Sequence, residues 1–182
     1  MAHLDIHFFP EIKIFEKIQF DSDLGFFTNL YEKTWTLENF FQDSVSFSKL
    51  RGTIRGFHFQ KAPFDQAKLV SVINGSILDI FIDLRTSSET FLNYGSIILK
   101  EGNSKIILIP RGFAHGYISL EDNTLINYKL DNAYSPEHEE TILWNDPFLN
   151  VEFPMMNKYH LSAKDQKGLT IKELQSKGAF YE

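Results

Sequence analysis

The chain has 182 residues, a length at which one domain buries roughly 70% of its unfolded surface, so we expect a single domain over residues 1–182. Its 18 phenylalanines favour strands, and the absence of cysteine excludes disulfides, thiolate catalysis and thiolate metal ligands, as suits a reducing cytoplasm. A formal charge of −6 argues against a broad nucleic-acid surface, and no uncharged apolar run is long enough to cross a membrane.

Short strands separated by turn residues run through most of the chain. The predicted strands lie near 11–20, 67–73, 77–84, 94–100, 105–109 and 124–130. Two helices are also predicted, a short one around Leu24–Tyr31 and a final one that begins near Ser162, where Ser162 and Asp165 resemble a capping box. The pattern predicts a mainly β jelly roll, a sandwich or barrel with short helices near the N-terminus and at the C-terminus.

Six polar residues stand out because they occur in apolar, strand-like or turn-like surroundings. They are Arg55, His58, Lys68, His115, Tyr134 and Asp165. Burying several such groups without partners would cost about 1 to 3 kcal/mol each, so the cluster suggests a pocket. Taken singly, each also has a structural explanation: a core histidine, a solvated strand-edge lysine, a turn tyrosine or an aspartate in the first turn of a helix.

The stretch RGFHFQ at 55–60 sets a geometric condition on this pocket. Strict alternation along a strand places Arg55 and His58 on opposite faces. If both serve one pocket, the strand needs an extra residue between them. We therefore predict a β-bulge at Gly56.

Seven short motifs occur in order along the chain. They are RGFHFQ at 55–60, QAKLV at 66–70, DLR at 83–85, IPRGFAHGY at 109–117, YSPEHE at 134–139, WNDP at 144–147 and LSAKD at 161–165. Together they resemble the dTDP-4-dehydrorhamnose 3,5-epimerase family over about residues 20–166. The resemblance implies a cupin-like jelly roll and a cytoplasmic isomerase of nucleotide-linked 4-keto sugars. It further implies a place in cell-surface polysaccharide synthesis. We expect no cofactor or metal, and no nucleic acid or membrane as partner.

The resemblance also implies roles in an acid–base reaction. In a 4-keto sugar, the protons on carbons 3 and 5 flank a carbonyl, so removing one gives an enolate, and returning it from the other face inverts the carbon. By resemblance His58 is the base, Asp165 orients its ring, and Tyr134 is the acid on the opposite face. Lys68 would stabilise the negative charge on the sugar's carbonyl oxygen.

Substrate-binding residues follow from the same resemblance. They are Phe27, Asn29, Gln42, Arg55, His115 and Lys164. The guanidinium of Arg55 would hold a diphosphate oxygen or the sugar, His115 would be a further donor, and Gln42 would lie near the nucleotide. The family also suggests a homodimer whose N-terminal strands cross to the partner.

The N-terminal motif departs from the family pattern Asp-x-Arg-Gly-x-Phe-x-Glu. In DSDLGFFTN at 21–29, Leu24 replaces the arginine and Asn29 the glutamate, whereas Gly25 and Phe27 remain. Because buried hydrogen-bond partners discriminate strongly between ligands, we hypothesise a nucleotide other than thymidine, such as GDP or CDP, carrying a 4-keto hexose or heptose. Inversion of one or of both carbons stays open.

Three other functions stay open on the sequence. A sugar 3,4-ketoisomerase or a one-centre epimerase would use the same fold. A metal-dependent cupin oxygenase would need a third protein ligand besides His58 and His115. A jelly roll that only binds a nucleotide sugar or glycan would have no need of a base, an orienting carboxylate and an acid together.

Overall fold

The computed structural model describes residues 1–102 and 105–182, and most of its regular structure is β-strand. The strands are β1 (Lys13–Glu16), β2 (Gln19–Ser22), β3 (Gly25–Thr28), β4 (Gln42–Ser48), β5 (Thr53–Gln60), β6 (Lys68–Asn74), β7 (Ser76–Asp83), β8 (Tyr94–Lys100), β9 (Lys105–Ile109), β10 (Phe113–Ser119), β11 (Thr124–Leu130), β12 (Glu139–Thr141) and β13 (His160–Leu161). Within the described ranges there is one α-helix, α1 (Ile171–Ser176), and there are 3-10 turns at Ile6–Phe8, Lys33–Trp35 and Asp165–Lys167. None of these helices has the length and apolar character that crossing a membrane requires.

The strands form two sheets that pack as a sandwich, and the predicted mainly β, cupin-like architecture is confirmed. One sheet has the order β1-β9-β6-β11-β4, and the other has the order β12-β5-β10-β7-β8 with β13 alongside β5. The remaining strands, β2 and β3, pair only with each other among the described residues.

Apolar side chains cover both faces of the sheet that contains β5, β7 and β10. Between the sheets, Phe81 of β7 and Phe113 of β10 pack with Val70 of β6. On the outer face, Ile80 and Ile82 pack under the C-terminal segment, which includes α1. Alternate residues of β7 therefore enter two different cores, as the two-residue period of a strand requires.

The bulge predicted at Gly56 is confirmed. Pairing between β10 and β5 matches His115 with His58 but Tyr117 with Arg55, so β5 has one residue more than β10 in this interval. Gly56 has φ +122°, and a Cβ built on it would lie 2.6 Å from the Cα of Gly116. Only glycine fits this backbone, and the extra residue brings Arg55 to the same side of the strand as His58.

Five of the six predicted strands are confirmed within one or two residues at each end, namely β6, β7, β8, β9 and β11. The segment 11–20 is instead divided between β1, which joins the five-stranded sheet, and β2. The strands β4 and β10 are absent from the prediction because serine, aspartate and glycine interrupt their apolar alternation.

The helix predicted around Leu24–Tyr31 is wrong, because this segment forms a hairpin. β2 and β3 pair with Phe20 opposite Phe27. The hydroxyl of Ser22 donates to the carbonyl of Gly25 at 3.0 Å across the turn, and Gly25 has φ +134°. The tight turn and the strand preference of aromatic residues outweigh the weak helical spacing of the apolar positions.

The start predicted for the final helix is also wrong. The backbone N–H of Asp165 does donate to the hydroxyl of Ser162, at 3.1 Å, but the 3-10 turn that follows stops before Gly168. The α-helix begins after Thr170, whose side chain forms a capping box with Glu173. The capping geometry predicted at Ser162 therefore supports one turn only.

Candidate active site

A cavity of about 220 Å³ lies between the two sheets. Its lining consists of Arg55, His58, Gln66, Lys68, His115, Tyr117, Tyr128, Leu130, Tyr134 and Glu139. Five of the six polar residues singled out in the sequence line this cavity, and the sixth, Asp165, contacts His58 from outside the lining. Residues from separate parts of the chain are thus assembled in one place.

His58, which is partly buried, forms a hydrogen-bonded pair with the buried Asp165. The Nε2 atom of His58 lies 2.7 Å from Oδ1 of Asp165, which is 2% exposed. The carboxylate also accepts hydrogen bonds from the Ser162 hydroxyl at 2.6 Å and from the backbone N–H of Gly56 at 3.3 Å. The bulge therefore helps to hold the carboxylate that fixes the imidazole.

Burial controls the protonation of this pair. It lowers the pKa of His58 below its ordinary value, with the nearby Lys68 charge acting in the same direction and the hydrogen bond to Asp165 opposing it. Burial alone would raise the pKa of Asp165, but the hydrogen bonds from His58 and Ser162 hold it below the usual range. The pair consequently contains a neutral imidazole beside an ionised carboxylate at neutral pH, and the imidazole is able to accept a proton.

The two phenylalanines that flank His58 face the other way. Phe57 and Phe59 pack in the outer core with Ile142 and Leu174 of the C-terminal segment. Because side chains alternate along β5, His58 points from the same strand into the cavity. The aromatic neighbours thus anchor the strand, and the histidine occupies the face that is free to do chemistry.

Lys68 is buried beside His58. Its Nζ donates to the carbonyl oxygen of His58 at 3.2 Å, and β6 is flanked by β9 and β11 in its sheet. Burial lowers the pKa of Lys68 to about 8, and the charges of Glu139 and Asp79 act against this shift. The ammonium is therefore present at neutral pH in a poorly solvated place, where it can stabilise a developing negative charge.

A second histidine–carboxylate pair lies on the neighbouring strands. Nε2 of His115 is 2.7 Å from Oδ2 of Asp79, and both residues are buried. The other oxygen of Asp79 is buried and has no hydrogen-bond partner in the described part of the chain. Sequence reasoning missed Asp79, although a carboxylate within the apolar strand ILDIFID was a signal that could have revealed it.

Tyr134 lies at the rim of the cavity and is 54% exposed. Its hydroxyl donates to Oε2 of Glu139 at 2.6 Å, and Nζ of Lys164 lies 2.5 Å from the same oxygen. The hydrogen bond to Glu139 raises the pKa of Tyr134, and burial and the charge of Glu139 add to this. The phenol therefore remains protonated, as a proton donor must.

Gln60 holds the backbone on both sides of Tyr134. Its amide nitrogen donates to the carbonyl of Ala133 at 3.0 Å, and its amide oxygen accepts from the N–H of Ser135 at 2.7 Å. Gln60 is buried and lies two residues after His58 on β5. One strand consequently carries the imidazole and fixes the turn that carries the phenol.

Arg55 has spare hydrogen-bonding capacity in the cavity. One of its terminal nitrogens donates to the carbonyl of Phe47 at 3.2 Å. Its Nε atom is buried without a hydrogen-bond partner in the ranges that the structure describes. A buried, unpaired N–H on a guanidinium is suited to bind an anionic ligand group.

Four of the six predicted substrate-binding residues are absent from the lining of this cavity in a single chain, namely Phe27, Asn29, Gln42 and Lys164. Phe27 is on the exposed hairpin and lines a different cavity. The side chain of Asn29 donates to Glu32 at 3.0 Å, and that of Gln42 donates to the hydroxyl of Ser44 at 3.1 Å. The structure therefore assembles the predicted acid–base residues with Arg55 and leaves the predicted nucleotide contacts apart from them.

The described residues do not form the donor set of a metal-dependent cupin. In residues 1–102 and 105–182, no three histidine, aspartate or glutamate side chains are grouped so as to hold a metal ion. His58 and His115 each bond to a buried carboxylate instead.

Comparison with known proteins places this geometry in context. The family model described as dTDP-4-dehydrorhamnose 3,5-epimerase matches residues 8–173. A dTDP-4-dehydrorhamnose 3,5-epimerase of Sinorhizobium fredii is 36% identical over 169 residues, which are 90% of this chain and 87% of that protein. The residues matched by the family model contain all seven motifs.

Two solved structures resemble the whole sandwich. The dTDP-4-dehydrorhamnose 3,5-epimerase of Bacillus anthracis, with TDP and PPi bound, is 39% identical at a TM-score of 0.85, covering 93% of this chain and 99% of that one. The dTDP-6-deoxy-D-glucose-3,5-epimerase of Legionella pneumophila, in complex with dTDP-4-keto-L-rhamnose, is 31% identical at a TM-score of 0.88 and covers 94% and 93%.

Proposed function

This chain belongs to the dTDP-4-dehydrorhamnose 3,5-epimerase family and is an isomerase of nucleotide sugars, and we propose that it inverts carbons 3 and 5 of a dTDP-linked 4-keto-6-deoxy-hexose. The observation that carries this proposal is the shared cavity. It joins a carboxylate-backed imidazole, a phenol and a buried ammonium, at His58, Tyr134 and Lys68.

Each inversion needs two proton transfers and one charge to be stabilised. The neutral imidazole of His58 takes the proton from the carbon beside the carbonyl, and Asp165 stabilises the imidazolium that forms. The electron pair moves to the carbonyl oxygen, where the ammonium of Lys68 stabilises the enolate. Tyr134 then gives its proton to the opposite face of the same carbon, which restores the ketone with inverted configuration.

The nucleotide is the finer part of the proposal. The solved relative from Bacillus anthracis holds TDP, and the one from Legionella pneumophila holds a dTDP sugar. No relative supports the expectation of guanosine, cytidine or a heptose, so we assign dTDP. The replacements at Leu24 and Asn29 remain a difference from the family pattern, and Leu24 is fully exposed in a single chain.

A homodimer with exchanged N-terminal strands is part of the proposal. The hairpin of β2 and β3 and the residue before it expose Ile18, Phe20, Leu24, Phe26 and Phe27, and such a concentration of exposed apolar side chains is typical of an interface. Light scattering on the purified protein should give twice the monomer mass, and replacing Phe20 and Phe27 by serine should shift it towards the monomer. A monomeric wild-type protein at micromolar concentration would remove this part of the proposal.

The function is tested by incubating the protein in heavy water with matched dTDP, GDP and CDP 4-keto-6-deoxy-hexoses and following each product by NMR. We expect turnover of the dTDP sugar, with deuterium and inversion at both carbons. Deuterium at one carbon would indicate a one-centre epimerase, and a carbonyl moved to carbon 3 would indicate a ketoisomerase. Faster turnover of GDP or CDP sugars would overturn the nucleotide assignment, and binding without exchange would indicate a non-catalytic protein.

A further inference from the structure

Two adjacent residues, Lys164 and Asp165, connect the base of the site to its acid. Asp165 contacts the imidazole of His58, and the preceding residue, Lys164, contacts Glu139. Glu139 in turn accepts the hydrogen bond from Tyr134. Adjacent residues thus reach the base directly and the acid through one intermediate side chain.

Glu139 is well placed to fix the phenol. It begins β12 and is paired with Gln60 of β5, the residue that holds the backbone around Tyr134. Its side chain is 13% exposed, and a single oxygen, Oε2, contacts both the phenol and the ammonium of Lys164. Burial alone would raise the pKa of Glu139, but the hydrogen bonds from Lys164 and Tyr134 keep it below the ordinary value, so it remains a carboxylate.

The phenol depends on this carboxylate more than on packing. Tyr134 is half exposed, and its hydroxyl has one hydrogen bond among the described residues, to Glu139. Gln60 hydrogen-bonds to the backbone on either side of Tyr134, and so fixes the turn rather than the hydroxyl. The position of the hydroxyl across the cavity is therefore set by Glu139, and the position of Glu139 is set by Lys164.

On the basis of the proposed function, we propose that Glu139 and Lys164 are positioning residues that hold the phenol of Tyr134 where it can protonate the enolate opposite His58. Lys164 then acts through Glu139, whose carboxylate lies 2.5 Å from its ammonium. The ammonium also offsets the negative charge beside which a phenolate must form when Tyr134 gives up its proton.

The proposal predicts a specific failure. If the phenol is misplaced, His58 still removes a proton and returns a deuteron to the same face, so exchange with heavy water continues without inversion. Glu139→Gln and Lys164→Met should raise the ratio of exchange to inversion by about 10-fold to 100-fold, since a misplacement near 1 Å costs up to about 100-fold in rate. Tyr134→Phe gives the upper limit of this ratio, and Lys164→Arg should keep it near the wild-type value.

The chain offers a matched control at the next position. Glu140 follows Glu139 on β12, has the same 13% exposure, and pairs with Lys61 at 3.6 Å and Lys177 at 3.4 Å. Glu140→Gln therefore removes a carboxylate charge and its two ion pairs from the same strand without touching Tyr134. Its ratio of exchange to inversion should equal that of the wild type. Because exchange needs an intact His58 site, it also reports that each variant is folded.

The alkaline limb of the pH profile gives a second readout. Charged groups from three elements face Lys68, namely Glu139, Asp79 and Lys164. The negative charge of Glu139 raises the pKa of Lys68, so Glu139→Gln should move the alkaline fall in activity to lower pH. The positive charge of Lys164 lowers the pKa of Lys68, so Lys164→Met should move this fall to higher pH. Both shifts follow from the two charges near Lys68 alone, so they report that the pair lies beside Lys68, and the ratio of exchange to inversion is the test of the positioning role.

The outcomes separate the two proposals. A raised ratio in Glu139→Gln and Lys164→Met, with a wild-type ratio in Glu140→Gln, supports the positioning role. An unchanged ratio in Glu139→Gln and Lys164→Met overturns it, whether both rates fall together or neither falls. A wild-type protein that shows neither exchange nor inversion on any nucleotide sugar contradicts the proposed function itself, independently of the variants.

Discussion

The two ends of the cavity are prepared for proton transfer by different physical means. At the base end, Asp165 is buried and His58 is partly buried, and burial is the largest influence on the imidazole's pKa. At the acid end, Tyr134 is half exposed, and its hydrogen bond to Glu139 is the largest influence on its pKa. Desolvation keeps the base unprotonated, whereas a neighbouring carboxylate keeps the acid protonated.

This difference makes the two ends separable by mutation. The base end depends on groups within the fold, including the backbone N–H of Gly56 in the bulge. The acid end depends on Glu139 and Lys164 at the rim. Damage to the base end should stop exchange and inversion together, and damage to the acid end should stop inversion first.

The largest effect is expected at the base end. Asp165→Asn should lower kcat by about 1,000-fold to 10,000-fold, because the imidazole loses the carboxylate that orients it and stabilises its cation. Exchange and inversion should fall by the same factor in steady-state NMR assays. Ser162→Ala removes the hydrogen bond that the hydroxyl donates to the Asp165 carboxylate and the one it accepts from the Asp165 N–H, but it leaves the carboxylate in place, and should cost about fivefold, equivalent to roughly 1 kcal/mol. Exchange that persists in Asp165→Asn would contradict the pairing.

Lys68 serves both ends, because each proton transfer passes through the same enolate. Lys68→Met should lower kcat by about 100-fold to 1,000-fold for exchange and for inversion, while the affinity for dTDP stays within a few-fold. Lys61→Met is the matched control, since Lys61 pairs with Glu140 away from the cavity and is 38% exposed. Normal kcat with weakened dTDP binding in Lys68→Met would instead make Lys68 a nucleotide contact.

The smallest effect is the pH dependence of the wild type. His58 must be neutral to act as base, and its pKa is lowered, so kcat/KM should fall only below the ordinary histidine range as the pH decreases. Lys68 must be protonated, and its pKa is about 8, so kcat/KM should fall as the pH rises through about 8. An optimum well above pH 9 would contradict the burial of this ammonium.

Much of the fold follows from local patterns, and the errors have local causes. The bulge at Gly56 is predictable because Arg55 and His58 cannot share a face without it, and the register of β5 shows it. The hairpin of β2 and β3 is not predictable in this way. Its phenylalanines fit a helix or a strand equally well when their burial partner is unknown, and in the single chain they are exposed.

The candidate site is likewise predictable from the sequence only in part. The motifs identify residues such as His58 and Asp165 individually. In the structure, these two side chains lie 2.7 Å apart, although they are 107 positions apart in the sequence. The contact between Glu139 and Lys164 has no local signal, because both are residue types that usually face solvent. Their partners are decided by how β12 and the loop before the 3-10 turn meet at the cavity rim, which no spacing within the sequence encodes.

Deuterium incorporation by His58→Asn tests the central assignment most directly. The variant and the wild type are incubated in heavy water with the dTDP-linked 4-keto-6-deoxy-hexose, and carbons 3 and 5 are observed by NMR. If the imidazole at this position is the base for both carbons, the wild type gains deuterium at both and the folded variant gains none at either. Undiminished deuterium at either carbon in His58→Asn would show that another group removes that proton.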